Sequence, residues 1–245
     1  IASQLRESGI NLNLAPVIDL NVNKQNPVIG KLGRSISDQP EKVIRHAGIF
    51  IDEHNKKNVV TCVKHFMGHG SSAKDTHLGF VDVTEIYDEK EKEPFKHLIK
   101  KNVVDMVMTA HLFNRNYDNV YPCTFSKKII AGVLRGEMGY DGVVVSDDLQ
   151  MKAVTDKYGF EESILLAINA GVDIVLISNN MKYDGNAHIK AINTIYSAVK
   201  NKEIAYQCIN ASFDRIMKLK YRIQKPEYRI QKPESRIQNP KGLTP

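Results

Sequence analysis

The chain has 245 residues, of which 42% are hydrophobic and 25% charged, a balance typical of a globular domain with a sizeable core. Its net charge of +6 comes from residues 218–245. That segment holds eight basic and two acidic residues, which leaves 26 of the 34 basic and 26 of the 28 acidic residues in a neutral body. A neutral body argues against a nucleic-acid enzyme with a basic groove. No apolar run approaches the ~18 residues of a membrane span. The three scattered cysteines indicate a reducing compartment, so we expect a cytoplasmic protein; export to the periplasm is the alternative, since the chain begins within a predicted helix.

Apolar patterns and helix-ending residues divide the chain into alternating strands and helices. Pro40 suits the first turn of a helix, Ser126 suits an N-cap, and Gly171 suits a helix end. In chain order, the predicted elements are a helix at 2–8, a strand at 11–20, a helix at 40–57, a strand at 59–65, a helix at 88–101, a strand at 103–111, a helix at 126–138, a strand at 142–148, a helix at 160–170, a strand at 173–178, and helices at 186–200 and 203–219.

The five predicted strands are continuous apolar runs, which are typical of a parallel sheet buried on both faces. A (β/α)8 barrel and a doubly wound sheet both fit, but an open sheet binds its ligand at one switch point, whereas a barrel collects residues from many strand ends. Polar residues follow every strand: Asp19, Lys64 and His65, His111, Asp147 and Asp148, and Asn179 and Asn180. The sequence therefore predicts an α/β fold, an incomplete (β/α)8 TIM-type barrel. Five βα units are visible, and about three N-terminal units are expected upstream.

Residues 220–245 differ in composition from the rest of the chain. A seven-residue repeat runs from residue 221 to residue 241 as YRIQKPE, YRIQKPE and SRIQNPK. A proline in each copy forbids a continuous helix, which excludes a coiled coil despite the period. We predict a barrel domain over residues 1–219 and a basic, extended, disordered tail over residues 220–245. The tail either binds an acidic surface or has no role of its own.

Asp147 is the strongest catalytic candidate. It follows the buried run GVVVS, so it lies where a strand reaches the rim of the barrel. A carboxylate in that position can attack or stabilise a polarised centre. The alternative is a helix cap, and the neighbouring Asp148 allows each residue of the pair to take one of the two roles.

The loop of residues 64–84 carries a second candidate site. Asp75 and His77 are two residues apart, and a carboxylate that accepts from a histidine ring N–H supports the imidazolium form that a general acid needs. A solvated polar loop is the alternative. Gly68 and Gly70 do not indicate a phosphate-binding loop, because the segment lacks the G-K-[ST] ending.

Other polar residues are candidates for contacts with an oxygen-rich ligand. Lys64 and His65 can donate to substrate hydroxyls, or Lys64 can pair with a barrel carboxylate such as Asp19. Arg34 either clamps the ligand or is solvated, and His111 is either a contact or a satisfied rim residue. A metal hydrolase is a rival hypothesis, which the lack of tightly spaced ligand pairs disfavours. Its ligands would be His65, His69, His77, His111 and Asp147.

Together these stretches resemble glycoside hydrolase family 3, specifically its bacterial β-N-acetylhexosaminidase branch. That branch carries a KHFPGHG…D-S/T-H loop, here KHFMGHGSSAKDTH at residues 64–77, and a strand ending S-D-D-L/M-x-M, here SDDLQM at residues 146–151. NLAPVIDLNVN, NPVIGKLGRS and the TAH of VMTAH also look like the family pattern. The resemblance covers about residues 1–219.

The resemblance implies a (β/α)8 barrel and retaining hydrolysis of terminal β-linked N-acetylglucosamine from peptidoglycan fragments, with no cofactor or metal and with a carbohydrate as the partner. Asp147 would be the nucleophile, and His77 would be the acid/base assisted by Asp75. The residues that would hold sugar hydroxyls are Arg34, Lys64 and His65.

Two departures from the family pattern leave alternatives open. Met67 stands where the family has proline, and no D-Q-E-G-G-R-type segment, which supplies an Asp and an Arg to the sugar site, occurs in these residues. The sequence is therefore interpreted as an N-terminally truncated copy. Another family-3 glycosidase, a phosphorylase and a catalytically dead remnant are the alternative functions.

Overall fold

The computed structural model describes residues 1–180 and 183–224. The strands are β1 (Leu12–Asn13), β2 (Val60–Phe66), β3 (Val81–Asp82), β4 (Met106–Thr109), β5 (Leu112–Phe113), β6 (Val143–Asp148) and β7 (Ile174–Leu176). Five of them form a parallel sheet in the order β1-β2-β4-β6-β7, and β3 pairs with β5 in a small second sheet. The small sheet has no counterpart among the predicted strands.

The helices match the predicted helices to within a few residues at most ends. They are α1 (Ala2–Glu7), α2 (Pro40–Lys56), α3 (Glu93–Lys100), α4 (Lys152–Thr155), α5 (Phe160–Ala170), α6 (Ala187–Lys200) and α7 (Tyr206–Gln224), with a π-helix at Lys128–Glu137 and 3-10 turns at Glu89–Lys92 and Cys123–Phe125. Pro40 opens α2 and Gly171 ends α5 in the left-handed conformation, as predicted. No helix in the described ranges combines the length and the apolar character needed to cross a membrane.

The order of the large sheet follows the chain from one edge to the other. In a doubly wound sheet the order reverses at the switch point, so that helices cover both faces. Here α2, α3, the π-helix and α5 share one hydrophobic core with Val63, Val107 and Val144, which lie on one face of the sheet. The large sheet is therefore an incomplete (β/α)8 barrel with its helices outside, as the sequence predicts.

The first strand is shorter than the segment predicted at residues 11–20. Only Leu12–Asn13 pairs regularly with β2, and Val17 adds an isolated bridge to Lys64. Pro16 explains the interruption, because it has no N–H to donate to the ladder. The segment nevertheless stays beside β2, since the Ile18 N–H donates to the Lys64 carbonyl at 2.8 Å. The position of Asp19 at the rim follows from that contact.

The inner face of the sheet is covered by α7. This helix packs its apolar residues Ile216, Leu219 and Ile223 against inner-face side chains of the strands. Those side chains are Val60, Cys62, Met106, Met108, Val143 and Val145. A cavity of ≈ 910 Å³ remains between α7 and the amino-terminal ends of β4 and β6, and none of the predicted site residues lines it.

Ion pairs hold α7 beneath the sheet, at strand ends opposite to the predicted site. Arg215 Nη1 lies 3.0 Å from Asp173 Oδ1, and Arg222 Nη2 lies 2.5 Å from Asp105 Oδ1 at an angle outside the hydrogen-bond range. Because Arg222 pairs with Asp105 and Ile223 packs against the inner face of the sheet, the helix continues to Gln224. The predicted end of the last helix at residue 219 is therefore too early, and the first residues of the repeat are helical. Residues 225–245 of the predicted tail lie outside the described residues.

Candidate active site

Asp147 lies at the end of β6, close to the inner-face residue Cys62. It is half-buried, and the Asp148 N–H donates to its Oδ1 at 2.9 Å. Burial raises the pKa of this carboxyl, but electrostatic interactions with His65, His111 and Lys64, together with that N–H, outweigh burial and hold the pKa below its ordinary value. The geometry thus presents an ionised carboxylate at neutral pH, which is the state that a nucleophile requires.

Asp148 has the structural role in the Asp pair. Its Oδ1 accepts from the Gln150 N–H at 3.1 Å and from the Ser178 N–H at 3.0 Å. The Ser178 hydroxyl donates to Oδ2. These bonds fix the turn after β6 to the segment after β7, so Asp148 joins two strand ends rather than capping α4. Asp147 is the member of the pair whose carboxylate stays available.

His65 is held by Asp19, whose carboxylate is fully buried. The Nδ1–H of His65 donates to Asp19 Oδ2 at 2.7 Å, and the backbone N–H groups of His65 and His69 donate to Oδ1 at 3.0 and 2.9 Å. Burial raises the pKa of Asp19, but the charges of both histidines and these hydrogen bonds lower it below its ordinary value. Because Nδ1 carries the proton, Nε2 of His65 is the ring atom left for a ligand, and it makes no hydrogen bond within the described residues.

Lys64 lies near Asp147, and Arg34 lies near Lys64. Burial lowers the pKa of the Lys64 ammonium, and the positive charge of Arg34 lowers it further, whereas the Asp147 carboxylate opposes both effects. Arg34 is positioned by its Nη1, which donates to the Val28 carbonyl at 3.0 Å. The structure differs from the predicted alternative for Lys64, since Asp19 pairs with His65 instead. Lys64 and His65 thus lie near the Asp147 carboxylate, and Arg34 lies near Lys64.

His77 and Asp75 are paired on the rim loop. The Nδ1 atom of His77 lies 2.7 Å from Asp75 Oδ1, and the same oxygen accepts the backbone N–H of His77 at 2.8 Å. Their side chains are 49% and 23% exposed, respectively. A single backbone bond ties this part of the loop to the Asp147 side of the site, from the Ala153 N–H to the Thr76 carbonyl at 3.1 Å. Asp19, His65 and His111 are buried, whereas His77 is exposed, so the pair lies on the rim outside the buried group.

His111 is the satisfied rim residue that the sequence left as one option. Its Nε2–H donates to the Asp148 carbonyl at 3.0 Å, and its Nδ1 lies 2.8 Å from the Thr124 hydroxyl. Because a carbonyl only accepts, Nε2 must carry a proton. Burial lowers the pKa of His111, which favours the neutral ring. It holds the backbone next to Asp147 through the Asp148 carbonyl, and both of its ring nitrogens already have partners.

The described residues bring no three side chains of His, Cys, Asp or Glu together in a way that could hold a metal ion. The histidines that the metal-hydrolase hypothesis assigned as ligands instead bond to separate partners. His65 bonds to Asp19, His77 to Asp75, and His111 to Thr124 and a carbonyl group.

Sequence reasoning missed two residues that shape the site. Asp19 was considered as a strand-end residue and as a partner for Lys64 but not for His65, and Asn26 was not considered as a site residue. Asn26 is fully buried, and its Nδ2 donates to the carbonyl of His69 at 2.7 Å while its Oδ1 accepts from the backbone N–H groups of Val28 and Ile29. It therefore joins the loop that carries Arg34 to the loop that follows β2. Its place before a proline, in NKQNP, is a turn signal that could have suggested a structural role.

An ionised carboxylate near cationic side chains at the carboxyl ends of barrel strands, with a carboxylate–imidazole pair on a rim loop, is the arrangement expected of an active site on a barrel. The chain belongs to glycosyl hydrolase family 3, since the profile described as "Glycosyl hydrolase family 3 N terminal domain" matches residues 1–219. The resemblance stated from the sequence motifs is therefore confirmed.

Relatives of known name agree with this assignment. A beta-hexosaminidase of Tolumonas auensis is 37% identical over 183 residues, which cover 74% of this chain and 53% of that protein. Beta-hexosaminidase A of Pseudoalteromonas piscicida is 32% identical over 236 residues, which cover 90% of this chain and 39% of that protein. The structure of a family 3 beta-N-acetylglucosaminidase from Paenibacillus sp. str. FPU-7 matches with a TM-score of 0.83 and 36% identity, over 91% of this chain and 42% of that chain. This chain thus spans about half or less of the length of these relatives.

Proposed function

We propose that this domain hydrolyses terminal β-linked N-acetylglucosamine with retention of configuration, and that its natural substrates are peptidoglycan fragments. The observation that carries the proposal is the presence of two groups suited to different protonation states. Asp147 is held ionised among cationic groups, while the separate Asp75–His77 pair can carry a proton. Retaining glycosidases need these two functions, a nucleophile and an acid/base. The names of the relatives support the choice of sugar.

In the first step Asp147 attacks the anomeric carbon of the sugar, and the bond from that carbon to the leaving oxygen breaks. His77, protonated and supported by Asp75, gives its proton to the leaving oxygen. The products of this step are the free alcohol and a glycosyl ester of Asp147. His77 is then neutral and ready to act as a base.

In the second step His77 takes a proton from water, the water oxygen bonds to the anomeric carbon, and the carboxylate of Asp147 leaves. The enzyme returns to its starting protonation state, and two inversions give net retention. Because His77 is exposed on a loop outside the buried group around Asp147, the loop must approach the sugar when substrate binds.

The remaining predicted residues suit the binding of sugar hydroxyls. Lys64 offers a cationic donor near Asp147, Arg34 offers one near Lys64, and His65 offers its unpartnered Nε2. The two cations can donate to a hydroxyl oxygen of a sugar held over the carboxylate, and Nε2 of His65 can accept from a hydroxyl O–H. These roles need no cofactor.

The proposal is tested by chromophore release from 4-nitrophenyl β-N-acetylglucosaminide. We expect Asp147→Asn, which keeps the shape but removes the charge, to lose activity by about three orders of magnitude or more. Asp141→Asn is the matched control, since the Asp141 side chain is 78% exposed at the opposite end of β6. Full activity in Asp147→Asn, or no release by the wild-type protein, would contradict the proposal. Release that requires phosphate would identify a phosphorylase instead.

A further inference from the structure

The loop between β2 and β3 has two unlike halves. Residues 67–72 are buried, whereas residues 73–80, which include His77, are mostly exposed. The change falls after Ser72, whose carbonyl accepts from Asn23 Nδ2 at 3.0 Å. An exposed segment can be aimed reproducibly only if the chain before it is fixed, so the anchor of the buried half matters for the position of His77.

Glu91 is the side chain that contacts the end of the buried half most closely. It lies in the 3-10 turn before α3 and is fully buried. Its Oε2 accepts the Gly70 N–H at 2.5 Å, and its Oε1 accepts the Ser71 N–H at 3.0 Å. The Ser71 hydroxyl also donates to Oε1. One carboxylate thus satisfies two consecutive backbone N–H groups and a side chain of the loop.

The shape of the loop fits this carboxylate closely. A Cβ atom at Gly68 would lie 2.5 Å from Glu91 Cβ, and one at Gly70 would lie 2.9 Å from Glu91 Oε2 and 1.8 Å from the Leu20 carbonyl oxygen. Gly68 also adopts a φ of +114°, which side chains rarely allow. Gly68 and Gly70 of the KHFMGHG motif are therefore required because Glu91 lies too close for a side chain at either position, and at Gly70 the Leu20 carbonyl does too. Phosphate binding is not needed to explain them.

Two further bonds from the same segment reinforce the anchor. The Tyr87 hydroxyl donates to the Met67 carbonyl at 2.5 Å, and the Asp88 N–H donates to Ser71 Oγ at 3.2 Å. A buried carboxylate without a compensating cation is costly, and no ion pair to Glu91 lies within 4 Å among residues 1–180 and 183–224. An apolar side chain would fill the same volume without that cost. The carboxylate is therefore best explained by the hydrogen bonds it accepts from the loop.

We propose that Glu91 is the positioning residue of the catalytic loop: it fixes Gly70 and Ser71, and so sets the pivot from which the His77-bearing segment reaches the sugar. The role of the loop in catalysis rests on the proposed function, but the anchoring itself does not. Glu91 does not touch the reacting atoms and acts through the backbone of residues 70–72.

The test combines amide hydrogen exchange with kinetics in Glu91→Gln. The amide of glutamine has the same shape but turns an NH2 group toward one of the donors, so at least one loop N–H loses its acceptor. We expect exchange about tenfold faster at Gly70 and Ser71, with faster exchange also across residues 73–80. Glu93→Gln is the matched control, because Glu93 is exposed and lies two residues further along the same segment.

Kinetics separate positioning from a general loss of structure. A misplaced His77 slows substrates whose leaving group needs protonation, such as a disaccharide, far more than a 2,4-dinitrophenyl glycoside that leaves unaided. We expect Glu91→Gln to lower kcat at least about tenfold more for the first class than for the second. Unchanged exchange at residues 70–71, or an equal loss with both leaving groups, would overturn the proposal. If the wild-type chain turns over neither substrate, the proposed function fails, and exchange alone then decides whether Glu91 anchors the loop.

Discussion

The buried carboxyl of Glu91 makes the stability of the protein depend on pH. Burial raises the pKa of Glu91 from 4.5 to about 7, although Ser71 and Gly70 donate hydrogen bonds that lower it. Between these two values the folded chain keeps a proton on Glu91 that the unfolded chain has lost. Its contribution to stability is therefore fully present below about pH 4.5 and is lost as the pH rises to about 7.

The size of the effect follows from the two pKa values. One pKa unit corresponds to about 1.4 kcal/mol, so the shift from 4.5 to about 7 is worth about 3 kcal/mol of the free energy of unfolding. His69 acts in the opposite direction, because burial lowers its pKa from 6.5 to about 4 and its contribution grows as the pH rises through the same range. The wild-type curve mixes both effects, and a variant is needed to separate them.

Urea unfolding of the wild-type protein and of Glu91→Gln, at about pH 4.5 and about pH 7.5, isolates the Glu91 part. The difference in the free energy of unfolding, wild type minus Glu91→Gln, should fall by about 3 kcal/mol from the lower to the higher pH. The same difference for Glu93→Gln should stay constant. A difference for Glu91→Gln that is the same at both pH values would refute the reasoning, because it would mean that the loop donors, not burial, govern the pKa.

Three other substitutions test separate parts of the structure. Gly70→Ala places a Cβ 1.8 Å from a backbone carbonyl, and we expect a loss of about 3 kcal/mol or more in thermal unfolding; a wild-type melting temperature would contradict that contact. Asp19→Asn removes the charge that orients His65, and KM should rise at least about tenfold with a smaller change in kcat; an unchanged KM would disprove the orienting role. Arg222→Ala leaves a buried aspartate unpaired and should cost about 3 kcal/mol, whereas exposed Lys218→Ala should cost less than about 0.5 kcal/mol in chemical unfolding. Equal costs would contradict the role of α7.

Much of the barrel could be predicted from the sequence, because buried parallel strands are continuous apolar runs and their polar ends mark one rim. The grouping of Asp147, Lys64 and His65 followed from that pattern alone. The Asp75–His77 bond was also predictable, since the two residues are close in the chain. The ends of the strands were harder to predict, because Pro16 lacks the backbone donor that would have extended β1.

Contacts between distant parts of the chain were beyond sequence reasoning. Glu91 stands near the start of a helix, where a glutamate is ordinarily an exposed first-turn residue, yet it bonds to a loop 20 and 21 residues earlier. Asp19 likewise meets His65 across 46 residues. The end of α7 was misjudged because its partners on the sheet, which the sequence does not reveal, extend the helix to Gln224.

The central claim, that Asp147 is the nucleophile, is tested most directly by trapping the covalent intermediate. A 5-fluoro-N-acetylglucosaminyl fluoride reacts readily in the first step because fluoride leaves easily, and its ring fluorine slows the second step. After incubation and digestion, mass spectrometry should find the added sugar on the peptide that contains Asp147, and no such adduct in Asp147→Asn. A sugar attached to any other residue, or turnover without an adduct on Asp147, would contradict the claim.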